Sequence, residues 1–315
     1  MTVPLVLVGA RLHWRFVLLA VLPAVLYYYI MYRTKRDTPL PQLALSALGK
    51  AGRALLWAAS LFLLCLAGCL ANRSSLSFPQ TANAPLAGLA LLALSAWAAK
   101  KGIRALVRCG AVLCVLLTVL YGLVLLGSAP KVRLRWLAPA GGIEQTALFS
   151  GILMLPTVCL YFRPEEDNAR PALWLTAGAS LALAASVITA GCLSPQIAAE
   201  ELSFYRLAQS VSLFGAVERF EALISAAFLF GSFCLIGLLL CAVREALFVL
   251  LPEQHASRVP LLVLAAPAAL CSAGTPLWVW AVGAAIFCGI FPLLTQVIVG
   301  LKKAKKISGK NRKNG

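Results

Sequence analysis

Residues 217–243 read VERFEALISAAFLFGSFCLIGLLLCAV. From Ala222 to Val243 no side chain carries a charge, and Arg244 closes the run. A helix rises about 1.5 Å per residue, so about 20 apolar residues cross a hydrocarbon core roughly 30 Å thick. The run is long enough to span a membrane. Its mouth has a different character. Glu218, Arg219 and Glu221 stand together there, and Glu221, Ser225 and Ser232 follow Glu218 at offsets of three, seven and fourteen, on one helical face. Two readings fit Glu218 and Arg219: the wall of a polar cavity, or an ion cluster anchoring the helix at the interface. Glu221 fits the anchor better.

Eight further stretches reach a similar length, some only with their flanks: 14–32, 54–71, 85–99, 104–126, 143–162, 172–192, 259–273 and 275–299. The run 259–273 is short and carries Pro260 and Pro267, and 143–162 is interrupted by Pro156. The expectation is an all-α polytopic transmembrane bundle of about nine spanning helices. It forms one membrane domain over residues 1–301, followed by a basic tail over 302–315. Composition agrees. Of the 315 residues 61% are hydrophobic and 12% charged, against roughly 45–50% and about 25% in soluble domains. Mean hydropathy is +0.88.

The net charge of +17 would attract phosphate if it were gathered on one face. Instead the basic residues sit in short clusters between apolar runs, which argues against nucleic acid and for membrane lipid as the partner of the charge. With the C-terminal tail inside and the runs alternating, twenty Lys and Arg fall inside and eight outside. The inside clusters include Lys50 and Arg53, Lys100, Lys101, Arg104 and Arg108, and the tail from Lys302 to Lys313. The positive-inside rule then places the N-terminus outside and the C-terminus in the cytoplasm of a multi-pass protein of the cell membrane.

Run 14–32 has Arg11 and Arg15 before it, no small-x-small cleavage site, and ends near Tyr27-Tyr28-Tyr29. It reads as a retained helix with an interfacial aromatic anchor. The ten cysteines lie in or beside apolar runs without a C-x-x-C, and His13 and His255 are isolated. No metal, cofactor or catalytic constellation is expected, and no enzyme.

A second polar feature is Pro139-Ala140-Gly141-Gly142-Ile143-Glu144. Glycines at the head of a membrane helix either make a tight turn or let the helix unwind and offer backbone groups to a solute. Gly141, Gly142 and Glu144, with Glu218, Arg219 and Ser225, are the candidate substrate-binding residues.

Several segments, in order, resemble one family. They are Ala47-Leu48-Gly49-Lys50, Phe78-Pro79-Gln80-Thr81, Gly102-Ile103-Arg104-Ala105-Leu106-Val107-Arg108, Leu137-Ala138-Pro139, and Val211-Ser212-Leu213-Phe214-Gly215 running into Glu218-Arg219-Phe220-Glu221-Ala222. The chain resembles the spore-germination permeases, the B-type subunits of nutrient germinant receptors, within the amino acid/polyamine/organocation transporter superfamily. The resemblance covers about residues 14 to 300. It implies two inverted five-helix repeats with a small nutrient, of the amino-acid class, held between broken first and sixth helices. It also implies A-type and C-type receptor subunits as partners in the inner spore membrane. The chain departs from the family in two places. Most of the first helix is lacking, with only Val3-Pro4-Leu5-Val6 matching its last turn, and the sixth-helix region is short around Gly141 to Glu144. An ion-coupled amino acid permease, or a structural subunit without ligand, are the other readings of the same pattern.

Overall fold

The computed structural model describes residues 24–31, 38–75, 84–133, 153–162, 171–193, 206–208, 220–252, 260–272 and 277–311, with the single positions 21 and 136. Among these residues the structure is helical and no strand occurs. The elements are α1 (24–31), α2 (Leu40–Leu48), α3 (Lys50–Ser75), α4 (Ala84–Lys101), α5 (Ile103–Ser128), a 3-10 segment (Leu155–Tyr161), α6 (Pro171–Cys192), α7 (Phe220–Leu250), α8 (Leu261–Ser272), α9 (Leu277–Ala284), a π segment (Ala285–Ile290) and α10 (Phe291–Asn311).

Among the described residues four stretches are long and apolar enough to cross a membrane: Lys50–Ser74, Ile103–Lys131, Ser225–Leu250 and Val279–Lys302. The last runs unbroken through α9, the π segment and α10. By length and composition this is a membrane protein. Helix α8 has 12 residues, about 18 Å of rise, too short to cross a core of roughly 30 Å alone.

Helices α3 and α7 form the centre. They pack on each other, α7 also lies against α4 and α5, α3 against α4 and α8, and α10 against α2. Leu56, Leu63, Leu240 and Val243 are among the buried side chains at this centre. Burial divides the helices. In α3 and α7, 61% of the apolar window is inside the protein, against 22% in α5, where Val112, Val115 and Leu126 stand more than half exposed. In water such a face would cost about 25 cal/mol for each Å² left wet. Lipid tails solvate it as well as leucine does.

Along the helices the hydroxyls of Ser60, Ser74, Ser95, Thr118 and Thr295 each donate to the carbonyl four residues back, at 2.6–2.9 Å. The local bond satisfies a polar group that hydrocarbon cannot.

Two corners depend on glycine. Gly49, between α2 and α3, has φ 58° and ψ −122°, and Gly102, between α4 and α5, has φ 99°. Side chains with a Cβ avoid both conformations. These are the glycines of the Leu48-Gly49-Lys50 and Gly102-Ile103-Arg104 segments, so two of the resembling motifs are chain reversals. Each corner leaves helix carbonyls facing out with the negative end of the helix dipole. Basic side chains from distant elements meet them. Arg244 Nη1 of α7 donates to the carbonyls of Ala99 (3.2 Å) and Lys100 (3.1 Å), and Lys302 Nζ of α10 donates to that of Ala47 (2.6 Å). At the far end of α5, Cys192 Sγ donates to Ser128 O at 3.2 Å, and the Arg133 N–H to Gly191 O at 2.8 Å. The sequence reading treats everything after Leu301 as tail. In the structure α10 stays helical through Asn311, because lysines at a helix C-terminus are favoured by its dipole and the helix is already nucleated.

Candidate functional site

A 3-10 segment and a π segment, both departing from α geometry, pack against each other. Proline is the cause in both. The 3-10 segment Leu155–Tyr161 carries Pro156 in its first turn, where proline's missing N–H is tolerated and its ring blocks an incoming helix. Seven residues is long for a 3-10 helix, which rarely exceeds three or four. The π segment Ala285–Ile290 closes with the Phe291 N–H on Ile286 O, one residue beyond α register. Pro292 follows it. An N–H at 292 would serve the carbonyl of Cys288 in α register or Phe287 in π register, and proline supplies neither.

Hydroxyls from elsewhere fill the deficit. Thr157 Oγ1 donates to Cys288 O at 2.5 Å, sharing its proton with Met154 O at 2.7 Å. Tyr27 Oη donates to Gly289 O at 2.8 Å and lies 3.4 Å from Cys288 O. Tyr28 Oη reaches the carbonyls of Leu153 (3.3 Å) and Met154 (3.4 Å) beside the 3-10 segment. On the other flank, Phe62 of α3 stacks on Phe287 with centroids 5.2 Å apart. Three chain segments far apart in sequence are thus tied at one buried place. Thr157 and Tyr28 are 0% and 1% exposed.

The tyrosine triplet is therefore divided. Tyr29, 53% exposed, fits the interfacial anchor expected from sequence, but Tyr28 is core and Tyr27 points its hydroxyl at the π segment. The reason is period: three consecutive residues of a helix cover about 200° of its surface and cannot share one environment.

Irregular backbone in a membrane protein persists where protein buries it or where it lines a cavity, and single π turns recur at functional sites. A peptide oxygen held by a rotatable hydroxyl can exchange that donor for an ammonium group or a cation. An oxygen locked in a helical bond cannot.

Of the candidate residues from sequence, Gly141, Gly142, Glu144, Glu218 and Arg219 lie outside the described residues. Ser225 lies in α7 and is buried. Two turns further on, Ser232 is fully buried, and among the described residues its Oγ has no hydrogen-bond partner. Helix α7 packs on the 3-10 segment, so the serine-bearing helix and the proline-broken backbone are neighbours.

No protein-family model matches this chain, and no curated protein matches it. Among the described residues no group of three or more His, Cys, Asp or Glu could hold a metal ion.

Sequence reasoning missed Tyr27, Tyr28, Thr157 and the Cys288–Gly289 carbonyls. A signal was present. Pro156 and Pro292 each interrupt an apolar run, and every such proline obliges some donor or packing partner elsewhere.

Proposed function

We propose that this chain is a solute-sensing membrane subunit of a spore nutrient-germinant receptor, binding a small nutrient of the amino-acid class and acting with A-type and C-type subunits. The architecture proposed is about nine crossings built on the inverted repeat of the amino acid/polyamine/organocation superfamily. One observation carries the reading: proline-broken backbone with hydroxyl-held carbonyls inside an apolar helical bundle. That is the chemistry by which discontinuous membrane helices receive an amino acid's charged ends. The ordered motif segments support this reading, and two of them contain the positive-φ glycines Gly49 and Gly102.

In this reading Glu218 and Arg219 line the solute cavity or the gate above it, and Ser225, Gly141, Gly142 and Glu144 border the solute with them. Removing one partner of a buried ion pair strands the other at several kcal/mol, whereas an exposed pair contributes about 0–1 kcal/mol. Glu218→Gln and Arg219→Gln should each abolish the nutrient response while membrane abundance stays near wild type. Response and abundance are measured together in both mutants, and a normal response at normal abundance reduces the cluster to an interfacial anchor. Solute uptake by the purified protein in liposomes would instead assign the same fold to an ion-coupled amino acid permease.

The orientation proposed is N-terminus outside and C-terminus cytoplasmic. A reporter fused after Lys313 should read as cytoplasmic, and one inserted between residues 193 and 213 as extracytoplasmic. Both reporters on one side would break the alternation.

A further inference from the structure

Helices α5 and α7 pack together, and Leu106 of α5 lies against Gly237 of α7. A Cβ there would lie 2.8 Å from Leu106 Cδ2, so the leucine side chain packs directly on the glycine and would have to shift for any larger residue. Moving three residues forward on α5 and three back on α7 leads from that contact to Cys109 and Cys234, which in an antiparallel pair face each other one turn on. With Leu106 packed on Gly237, the two thiols stand one turn away on facing helices, near enough for Cys109 to act electrostatically on the Cys234 sulfhydryl. Both are reduced, and they differ in access: Cys109 is exposed, Cys234 half-buried.

Depth matters to their chemistry. Cys109 lies six residues into α5, about 9 Å from its start, and the exposed Arg104 and Arg108 precede it. Cys109 is therefore in the first third of the span, close to the end where Arg104 and Arg108 draw water and headgroups toward the helix. A thiolate there can react, as one in mid-bilayer cannot.

We propose that Cys109 and Cys234 are a peroxide-oxidisable pair whose disulfide ties α5 to α7. In the first step the Cys109 thiolate attacks a peroxide oxygen. The O–O bond breaks, one oxygen stays on sulfur as sulfenic acid, and the other leaves as water after taking up a proton. In the second step the Cys234 sulfur displaces that hydroxyl, forming the S–S bond and releasing a second water. Two thiols lose two electrons and two protons, and one hydrogen peroxide becomes two waters. The oxidant is small and neutral and needs no site of its own. The consequence falls on α5, the span least buried in the bundle, which the bond would pin to the central helix.

The test uses the full chain in phospholipid vesicles, treated with one equivalent of hydrogen peroxide. The expected result is the loss of two free thiols per chain, faster migration on a non-reducing gel, and a linked peptide pair. Trypsin leaves Cys109 in one peptide with Cys114, and Cys234 in another with Cys241, so single serine variants assign the bond. The linked pair should vanish in Cys109→Ser and in Cys234→Ser and persist in Cys114→Ser and in Cys241→Ser. The proposal is overturned if the link survives either of the first two substitutions. It is also overturned if oxidation yields only links between two chains, or if the wild-type chain gives no linked pair. Fragmentation of the wild-type pair locates the bond even where a variant does not assemble.

Discussion

Replacing Gly52 by valine should prevent this protein from folding. A Cβ on Gly52 would sit 2.3 Å from the carbonyl oxygen of Ala44 and 3.0 Å from Leu48 Cβ. The first of these is backbone, pinned in α2 by helical bonding and unable to swing aside as a side chain could. The corner at Gly49 forces the approach, because its positive φ folds α2 back on the first turn of α3. Overpacking a core costs about 1–3 kcal/mol when side chains can adjust. With a peptide carbonyl as the obstacle the cost should exceed that range, on the order of the rare mutations that unfold a marginally stable domain. The measurement is the fraction of protein extracted in detergent as a monodisperse peak, with its thermal midpoint. Gly122→Val is the control, since nothing lies within 4 Å of its Cβ position. Equal behaviour of the two variants would mean that the corner opens freely and that the α2–α3 contact is not a constraint.

The second large effect concerns the carbonyl of Cys288. Thr157→Val removes its closest donor and keeps the side-chain volume. Interhelical hydrogen bonds in membrane proteins average only about 0.6 kcal/mol, because a broken bond usually finds another partner. Here Pro292 denies the helical alternative, so the oxygen should keep only the long 3.4 Å contact from Tyr27 Oη, at a cost of about 1–3 kcal/mol. Pro292→Ala restores an N–H one α turn from Cys288. The double variant should recover most of the loss, giving a coupling well outside the few tenths of a kcal/mol expected of independent sites. Thermal midpoints of the wild type, both single variants and the double variant close the cycle. Simple additivity would show that Thr157 and Pro292 do not act on the same oxygen.

The candidate site was only half legible in the sequence. The face of α7 that carries Ser225 and Ser232 follows from the 3.6-residue period, because a helix fixes the relative directions of its own side chains whatever surrounds it. The same arithmetic could not say that Ser232 Oγ would be buried without a partner among the described residues. The five back-bonded hydroxyls show that a serine or threonine in an apolar helix usually satisfies itself locally. Tyr28 marks the limit from another side: its neighbours made it look like an interfacial anchor, and the bundle took it as core.

By itself the sequence determined the solvent and the secondary structure. Runs such as 222–243 cannot be dissolved in water as single helices, and hydrocarbon admits no backbone that fails to satisfy its own hydrogen bonds, so membrane character and helix follow from local composition. It also marked the corners, because Gly49 and Gly102 stand where apolar runs end in basic residues. Only the tertiary structure decided which carbonyls Pro156 and Pro292 would leave to outside donors and who would serve them. It likewise decided that Arg244 and Lys302 would close helices far from them in the chain, and that Cys109 would stand near Cys234. Those pairings span more than a hundred residues each, and they depend on how helices of similar apolarity choose their neighbours. In a membrane no bulk hydrophobic force makes that choice. Close approach at glycines and a few buried hydrogen bonds do.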